Sequence, residues 1–176
     1  MPILGWGTLT ASVCNVFAVP AVSVAFLMLW MDRRFGMHFF DVAGGGQPLL
    51  WQHLFWMFGH PWVYAIVLPA MGIVSDGLPT FCRRPLVGYT PVALATVPTM
   101  VLGFGVWVHH MFATGLPPLS LSFFSAASFG IVIPSAVGVF AWLATIWTGR
   151  PQFTPPSLFF AAFGLVFLSA GFLGFL

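Results

Sequence analysis

Residues 51–75 decide the fold class, and they read WQHLFWMFGHPWVYAIVLPAMGIVS. This stretch contains no Asp, Glu, Lys or Arg, and it exceeds the roughly 20 apolar residues that a helix needs to cross a bilayer. Its internal prolines, Pro61 and Pro69, are tolerated in membrane helices when neighbouring groups satisfy the freed backbone. The stretch therefore predicts a membrane-spanning helix.

The composition of the whole chain agrees with a membrane environment. Hydrophobic residues make up 60% of the 176 residues and charged residues only 5%, whereas about a quarter of the residues of soluble domains are charged. The formal net charge of +2 comes from loop arginines without a basic stripe, which excludes nucleic-acid binding. All charged residues lie outside the predicted spans: Asp32, Arg33, Arg34, Asp41, Asp76, Arg83, Arg84 and Arg150.

Glycine, proline and arginine divide the sequence into five apolar stretches of spanning length. We therefore predict an all-α membrane protein, a bundle of about five transmembrane helices in a single domain over residues 1–176. The predicted helices cover residues 5–30, 51–75, 87–112, 121–147 and 155–176.

Three histidines are the intramembrane residues with the clearest chemistry. His60 lies about nine residues into the second span, on the order of 13 Å below the membrane surface at 1.5 Å per residue. His109 and His110 lie at the end of the third span, which returns to the same side. The three imidazoles can therefore converge on one point and bind copper, zinc, iron or nickel. Alternatively, each hydrogen-bonds a neighbouring carbonyl.

Tyr64 narrows the chemistry of this predicted metal site. It follows His60 by four residues and so lies on the same helix face, one turn further in. A phenol beside a metal can supply an electron and a proton to bound dioxygen. His38 and His53 lie in or near the interface, where water can satisfy them, and we do not assign them to the site.

Two motifs resemble the copper signature of subunit I of the haem–copper oxidases. They are WQHLFWMFGHPWVY at residues 51–64 and VWVHHMF at residues 106–112. The flanks also resemble this family, at DRR (32–34), FFDVAGGG (39–46), IPSAVGVF (133–140) and WLAT (142–145). The resemblance covers nearly the whole chain and implies that the five helices are the central part of a twelve-helix oxidase subunit.

The resemblance also implies roles for individual residues. His60, His109 and His110 would ligate copper B, Tyr64 would be the catalytic proton and electron donor, linked covalently to His60, and Trp56 would pack beside the copper. The haem ligands of the family lie outside this chain. The chain alone is therefore expected to be inactive, as a fragment, a split subunit or a degenerate relative.

Two positions depart from the family pattern, and both concern proton supply. Trp62 replaces a glutamate that ends one proton path in many members, and an indole N–H cannot take over that role. Gly138 replaces the lysine of the other path. Ser75 and Ser135 match hydroxyl positions of that second path, so water can partly replace the amine. Proton pumping by the usual routes is therefore left open.

The implied enzyme is a respiratory terminal oxidase that reduces dioxygen to water at a haem–copper centre and couples this reaction to proton transfer. Its partners would be the remaining segments of subunit I, the copper A subunit, membrane lipids, and cytochrome c or quinol as electron donor. A degenerate paralogue with an assembly or structural role is the alternative. A metal transporter is disfavoured, since the spans carry no second ligand cluster. The use of arginine instead of lysine throughout favours a bacterial plasma membrane over a mitochondrial inner membrane.

Overall fold

The structure, a computed structural model, describes residues 1–175. Five helical spans are long and apolar enough to cross a membrane, and the described residues form no strand. The predicted all-α membrane fold is therefore confirmed, although the predicted end of the last span, Leu176, lies outside the described residues. The elements are α1 (Ile3–Phe35), α2 (Pro48–Cys82), α3 (Tyr89–Gly103), a 3-10 segment (Trp107–Thr114), α4 (Pro118–Gly130), α5 (Val132–Thr148) and α6 (Pro155–Phe175).

Helices α1 and α2 pack through glycines that let their backbones touch. A Cβ atom added at Gly7 would lie 2.5 Å from the carbonyl oxygen of Leu68, and one added at Gly72 would lie 2.5 Å from the Cα of Leu4. Membrane helices associate closely through such small residues, because lipid offers no hydrophobic driving force. The two glycines therefore fix the axial position of α2 against α1.

Side-chain hydrogen bonds hold the same helix pair nearer to the histidines. The indole nitrogen of Trp51 donates to the carbonyl of Ala25 at 2.9 Å, and the thiol of Cys14 donates to the carbonyl of Pro61 at 3.2 Å. Since Pro61 follows His60 directly, the second contact holds the His60 backbone against α1.

Asp76 corrects one sequence prediction. Helix α2 continues to Cys82, so this carboxylate lies within a span rather than just outside it, as predicted. Its two oxygens accept hydrogen bonds from the backbone N–H groups of Ile3 at 2.9 Å and Leu4 at 2.8 Å. The first N–H groups of a helix have no partner within the helix and favour negative charge, so Asp76 stabilises the start of α1.

Two spans are interrupted where a single helix was expected. The third contains α3 and the 3-10 segment, separated at residues 104–106, a break that directly follows Gly103 and includes Gly105. The fourth breaks at Ile131 into α4 and α5, because Pro134 has no N–H to continue the helical pattern and crowds the preceding turn. The first break turns the 3-10 segment, with His109 and His110, toward α2.

The opposite end of α2 is closed by the loop between α5 and α6. The backbone N–H of Arg150 donates to Cys82 at 2.8 Å, and that of Gln152 donates to Phe81 at 2.9 Å. These bonds satisfy carbonyls that a helix end leaves free. Trp142 of α5 packs edge-on against Phe163 of α6. The bundle is therefore tied together on the side away from the histidines.

Candidate metal centre

The three predicted histidines meet at one point between α2 and the 3-10 segment. One ligand-capable nitrogen from each of His60, His109 and His110 lies within 4.8 Å of the other two. The ring centroids of His60 and His109 are 4.4 Å apart, and those of His109 and His110 are 4.5 Å apart. The break after α3 makes this possible, because it turns the segment that carries His109 and His110 toward α2.

His60 lies at the centre of the cluster and is almost fully buried, with 6% of its surface exposed. Its Nδ1 is 3.0 Å from Nε2 of His110, so a proton or a cation must lie between these two lone pairs. Its Nε2 is buried without a hydrogen-bond partner among the described residues. Buried polar atoms are normally satisfied, so the environment of His60 fits an additional bound group.

Ser128 of α4 orients His109, and sequence reasoning missed it. The Ser128 hydroxyl donates its proton to the carbonyl of Phe124 at 2.6 Å, and its oxygen lies 2.9 Å from Nδ1 of His109. With its proton committed, the hydroxyl can only accept from the imidazole. Nδ1 of His109 then carries the hydrogen, and Nε2 keeps the lone pair that a metal needs.

Trp56 stacks its indole ring on the imidazole ring of His110. The ring centroids of Trp56 and His110 are 4.0 Å apart and their planes are inclined by only 5°. Trp56 precedes His60 by one helical turn, so a single face of α2 supports two members of the cluster. The indole restricts rotation of the His110 ring.

Tyr64 lies against His60 on the other side, one turn further along α2. The two ring centroids are 4.6 Å apart with planes inclined by 67°. A Cβ atom added at Gly103 would lie 2.9 Å from Cδ2 of Tyr64. The absence of a side chain at Gly103 therefore gives the phenol ring its place between α2 and α3.

His53 and His38 do not join the cluster. The indole nitrogen of Trp107 donates to Nδ1 of His53 at 3.3 Å, which anchors the start of the 3-10 segment to α2. His38 lies in the exposed loop after α1, with its Nδ1 3.5 Å from a carboxylate oxygen of Asp41. Both histidines thus have partners outside the site.

The two serines predicted for proton supply have different surroundings. Ser75 is buried and accepts a hydrogen bond from the indole nitrogen of Trp142 at 2.9 Å, whereas Ser135 donates at 3.0 Å to the carbonyl of Ile131, the residue directly before α5. A Cβ added at Gly138 would lie 2.8 Å from the Met71 methyl group. Methionine therefore fills part of the space that a longer side chain at Gly138 would need.

Trp62 faces away from the histidines. Its side chain is 45% exposed on the surface of the described bundle and stacks with Phe58, which precedes it by one turn. This position therefore has no polar group that could carry protons to the cluster.

The arrangement as a whole fits a metal better than it fits three separate histidines. Three imidazoles that converge on one point suit copper, zinc, iron or nickel. One of the three, His109, has the outer hydrogen bond that metal-bound histidines typically make. The phenol of Tyr64 adds a group that can exchange a proton and an electron beside the metal.

Comparison with known proteins gives a family match over the whole chain. The family model described as cytochrome c and quinol oxidase polypeptide I matches residues 1–176. Among curated proteins, cytochrome c oxidase polypeptide 1 of Halobacterium salinarum is 50% identical over 174 residues, which are 99% of this chain and 29% of the relative.

Two bacterial proteins give the same result. Cytochrome c oxidase subunit 1 of Bacillus sp. strain PS3 is 44% identical, and that of Bacillus subtilis is 42% identical, each over 99% of this chain and 28% of the relative. The chain thus spans less than a third of the length of the curated relatives it matches.

Proposed function

Because the chain belongs to the cytochrome c and quinol oxidase polypeptide I family, we propose that it forms the copper-binding part of the catalytic subunit of a respiratory terminal oxidase. The enzyme reduces dioxygen to water with electrons from cytochrome c or quinol. The observation that carries this proposal is the convergence of His60, His109 and His110 within 4.8 Å. The rest of the subunit and a copper A subunit are its proposed partners, in a bacterial plasma membrane.

In the proposed centre, His60, Nε2 of His109 and His110 would hold copper B. Bound copper, with a haem held by other segments of the subunit, would supply the site at which dioxygen is reduced. Ser128 fixes the tautomer of His109, and Trp56 fixes the ring plane of His110. These contacts hold the imidazoles in place before a metal arrives, which reduces the ordering that metal binding requires.

Tyr64 is the proposed donor of a proton and an electron. Its ring contacts His60, and the unpartnered Nε2 of His60 supports a covalent bond between the two rings. Forming that bond removes a hydrogen from the phenol ring and the N–H proton of the imidazole, two electrons and two protons in all, with dioxygen as the oxidant. The bond would hold the phenol beside the copper.

Proton supply is proposed to differ from the two common routes of the family. Trp62 is exposed and carries no transferable carboxyl proton, and no amine is present at Gly138. Ser75 is the remaining hydroxyl of the predicted path that faces the core between α2 and α5. Ser135 bonds to its own helix. The proposal therefore covers oxygen reduction and leaves proton pumping aside.

Oxygen uptake by the complete complex tests this function. His109→Ala should abolish oxygen uptake while the subunit still assembles in the membrane. His38→Ala is the matched control, because His38 lies in an exposed loop outside the cluster, and it should respire normally. A wild-type complex that assembles without consuming oxygen would instead favour the degenerate paralogue, to which the Trp62 and Gly138 departures also point.

A further inference from the structure

A surface groove follows the last turns of α1, near the end of the bundle where α2 begins. Its volume is about 310 Å³, and it is lined by Phe26, Leu29, Trp30, Arg33 and Arg34. All five residues belong to α1 at spacings of three, four, seven and eight, so they form one stripe along the helix axis. The apolar residues come first along this α1 groove, and the two arginines follow at the end nearer the loop.

The arginine end of the α1 groove reaches the level of the lipid headgroups. Helix α1 has 33 residues and is therefore about 50 Å long at 1.5 Å per residue. A bilayer is about 30 Å thick across its hydrocarbon core and about 40–45 Å with its headgroups. Arg33 and Arg34 lie in the last turn of α1 and so lie in the headgroup layer, whereas Phe26 and Leu29, one to two turns earlier, face the acyl chains.

Neither arginine has a counter-charge among the described residues. The side chains of Arg33 and Arg34 are exposed and form no hydrogen bond or ion pair with these residues. The nearest carboxylates in the sequence have other partners: Asp32 accepts from the backbone N–H of Phe39 at 2.7 Å, and Asp41 accepts from a backbone N–H of its own loop at 3.0 Å. Two guanidinium groups without an acid favour an anion, and phosphate is an anion that arginine binds through two parallel hydrogen bonds.

The adjacent arginines at the opposite end of the bundle differ in this respect. The guanidinium group of Arg84 donates to the carbonyl of Thr148 at 3.0 Å. The guanidinium group of Arg83 lies beside the side-chain amide of Gln152. That pair therefore has acceptors within the chain, which the arginines of the α1 groove lack.

Trp30 shapes the middle of the α1 groove. Its ring packs edge-on against Phe35, with the ring centroids 4.9 Å apart and the planes inclined by 82°. Its indole N–H forms no hydrogen bond with the described residues. Tryptophan is enriched at the boundary of the membrane, where an apolar ring and a polar N–H both find suitable surroundings. The indole can therefore donate to a polar group between the headgroup and the acyl chains.

We infer that the α1 groove binds one phospholipid of net negative charge, with its phosphate on Arg33 and Arg34 and one acyl chain along Phe26 and Leu29. The order of the lining residues along the helix axis matches the order of headgroup and chain in a lipid. The lining contains no carboxylate that could pair with the ammonium group of a zwitterionic lipid. The two positive charges therefore favour an anionic lipid over one without net charge.

Native mass spectrometry of the complete complex, stripped of lipid by detergent and titrated with phosphatidylglycerol, measures the affinity. Electron cryo-microscopy of the same sample locates the bound lipid. The double variant Arg33→Gln and Arg34→Gln removes both charges and should lose the lipid density in the α1 groove. It should bind phosphatidylglycerol roughly 30-fold more weakly, because each basic residue near the membrane surface typically adds about 5-fold to the affinity for an anionic lipid.

The double variant Arg83→Gln and Arg150→Gln is the matched control. It also removes two exposed arginines, but at the opposite end of the bundle. This control should keep both the lipid density in the α1 groove and the wild-type affinity. If the complex with both Arg33 and Arg34 replaced does not assemble, Arg34→Gln alone should show the roughly 5-fold loss of one arginine.

Two competitors separate a lipid from other ligands. Phosphatidylcholine carries a phosphate and acyl chains without net charge and should displace little phosphatidylglycerol at equal concentration. Glycerol 3-phosphate carries the charge without acyl chains and should also displace little. Equal competition by phosphatidylcholine would refute selection for negative charge, and equal competition by glycerol 3-phosphate would refute a lipid site.

Two further outcomes would overturn the inference. One is equal affinity for phosphatidylglycerol in the double variant of Arg33 and Arg34 and in its control. The other is protein density in the wild-type α1 groove, from another part of the subunit or from a partner subunit. None of these readouts uses oxygen uptake, so the lipid site stands or fails independently of the proposed function.

Discussion

The oxygen of Ser128 faces Nδ1 of His109 at 2.9 Å as a hydrogen-bond acceptor, because its own proton is donated to Phe124. A serine on α4 thereby selects which nitrogen of a histidine in the 3-10 segment can bind a metal. This contact joins α4, the first part of the fourth span, to the 3-10 segment at the end of the third span.

Ser128→Ala should weaken copper binding by about 10–100-fold, the usual cost of losing the outer partner of a metal-bound histidine. Titration of the complete complex with a copper chelator measures the change. Ser128→Thr retains the acceptor and should behave like the wild type. Ser23→Ala, which removes an exposed hydroxyl bonded within α1, is the control. Equal copper retention in the Ser128→Ala and Ser23→Ala variants would contradict the role of Ser128.

The variant Tyr64→Phe tests the role of Tyr64 as a proton and electron donor independently of copper binding. The phenylalanine ring can keep the packing against His60 and Gly103, so copper should remain bound. Oxygen uptake should fall by about 10²–10⁴-fold, because the positioned proton donor is gone. Copper analysis and an oxygen electrode measure the two quantities on one preparation. Wild-type turnover in this variant would refute the donor role.

Gly7→Ala tests the close packing of α1 and α2. The new methyl group would lie 2.5 Å from the Leu68 carbonyl oxygen, and overpacking of this kind typically costs about 1–3 kcal/mol. The thermal midpoint of the assembled complex should fall accordingly. Gly164→Ala is the comparison, since an added Cβ there meets no described atom within 4 Å. Equal midpoints for the two variants would show that the α1–α2 contact is looser than described.

The sequence alone predicts those parts of the site that depend on the depth of a residue in the membrane and on the helix face that it occupies. His60 and Tyr64 are four residues apart on one helix, so their adjacency follows from helical geometry. His109 and His110 approach His60 because the third span ends on the same side of the membrane on which the second span begins. Hydropathy alone was also sufficient for the number of membrane spans.

Other parts depend on tertiary contacts that no local pattern reveals. Ser128 is one of several serines in an apolar stretch, and only the bend of the 3-10 segment brings His109 to it. Asp76 was placed just outside the predicted span 51–75, yet α2 continues past it and the carboxylate meets the start of α1. Ser75 and Ser135 stay predicted members of one proton path; their observed partners, Trp142 of α5 for Ser75 and Ile131 before α5 for Ser135, could not be read from a local pattern.

The copper content of the complete complex tests the central claim most directly. The measurement is the number of copper ions per complex, by mass spectrometry of the metal, in the wild type and in His60→Ala, with His38→Ala as the control. The account predicts that His60→Ala contains one copper fewer than the other two, which should be equal. Equal copper content in all three complexes, each correctly assembled, would contradict a copper site at His60, His109 and His110.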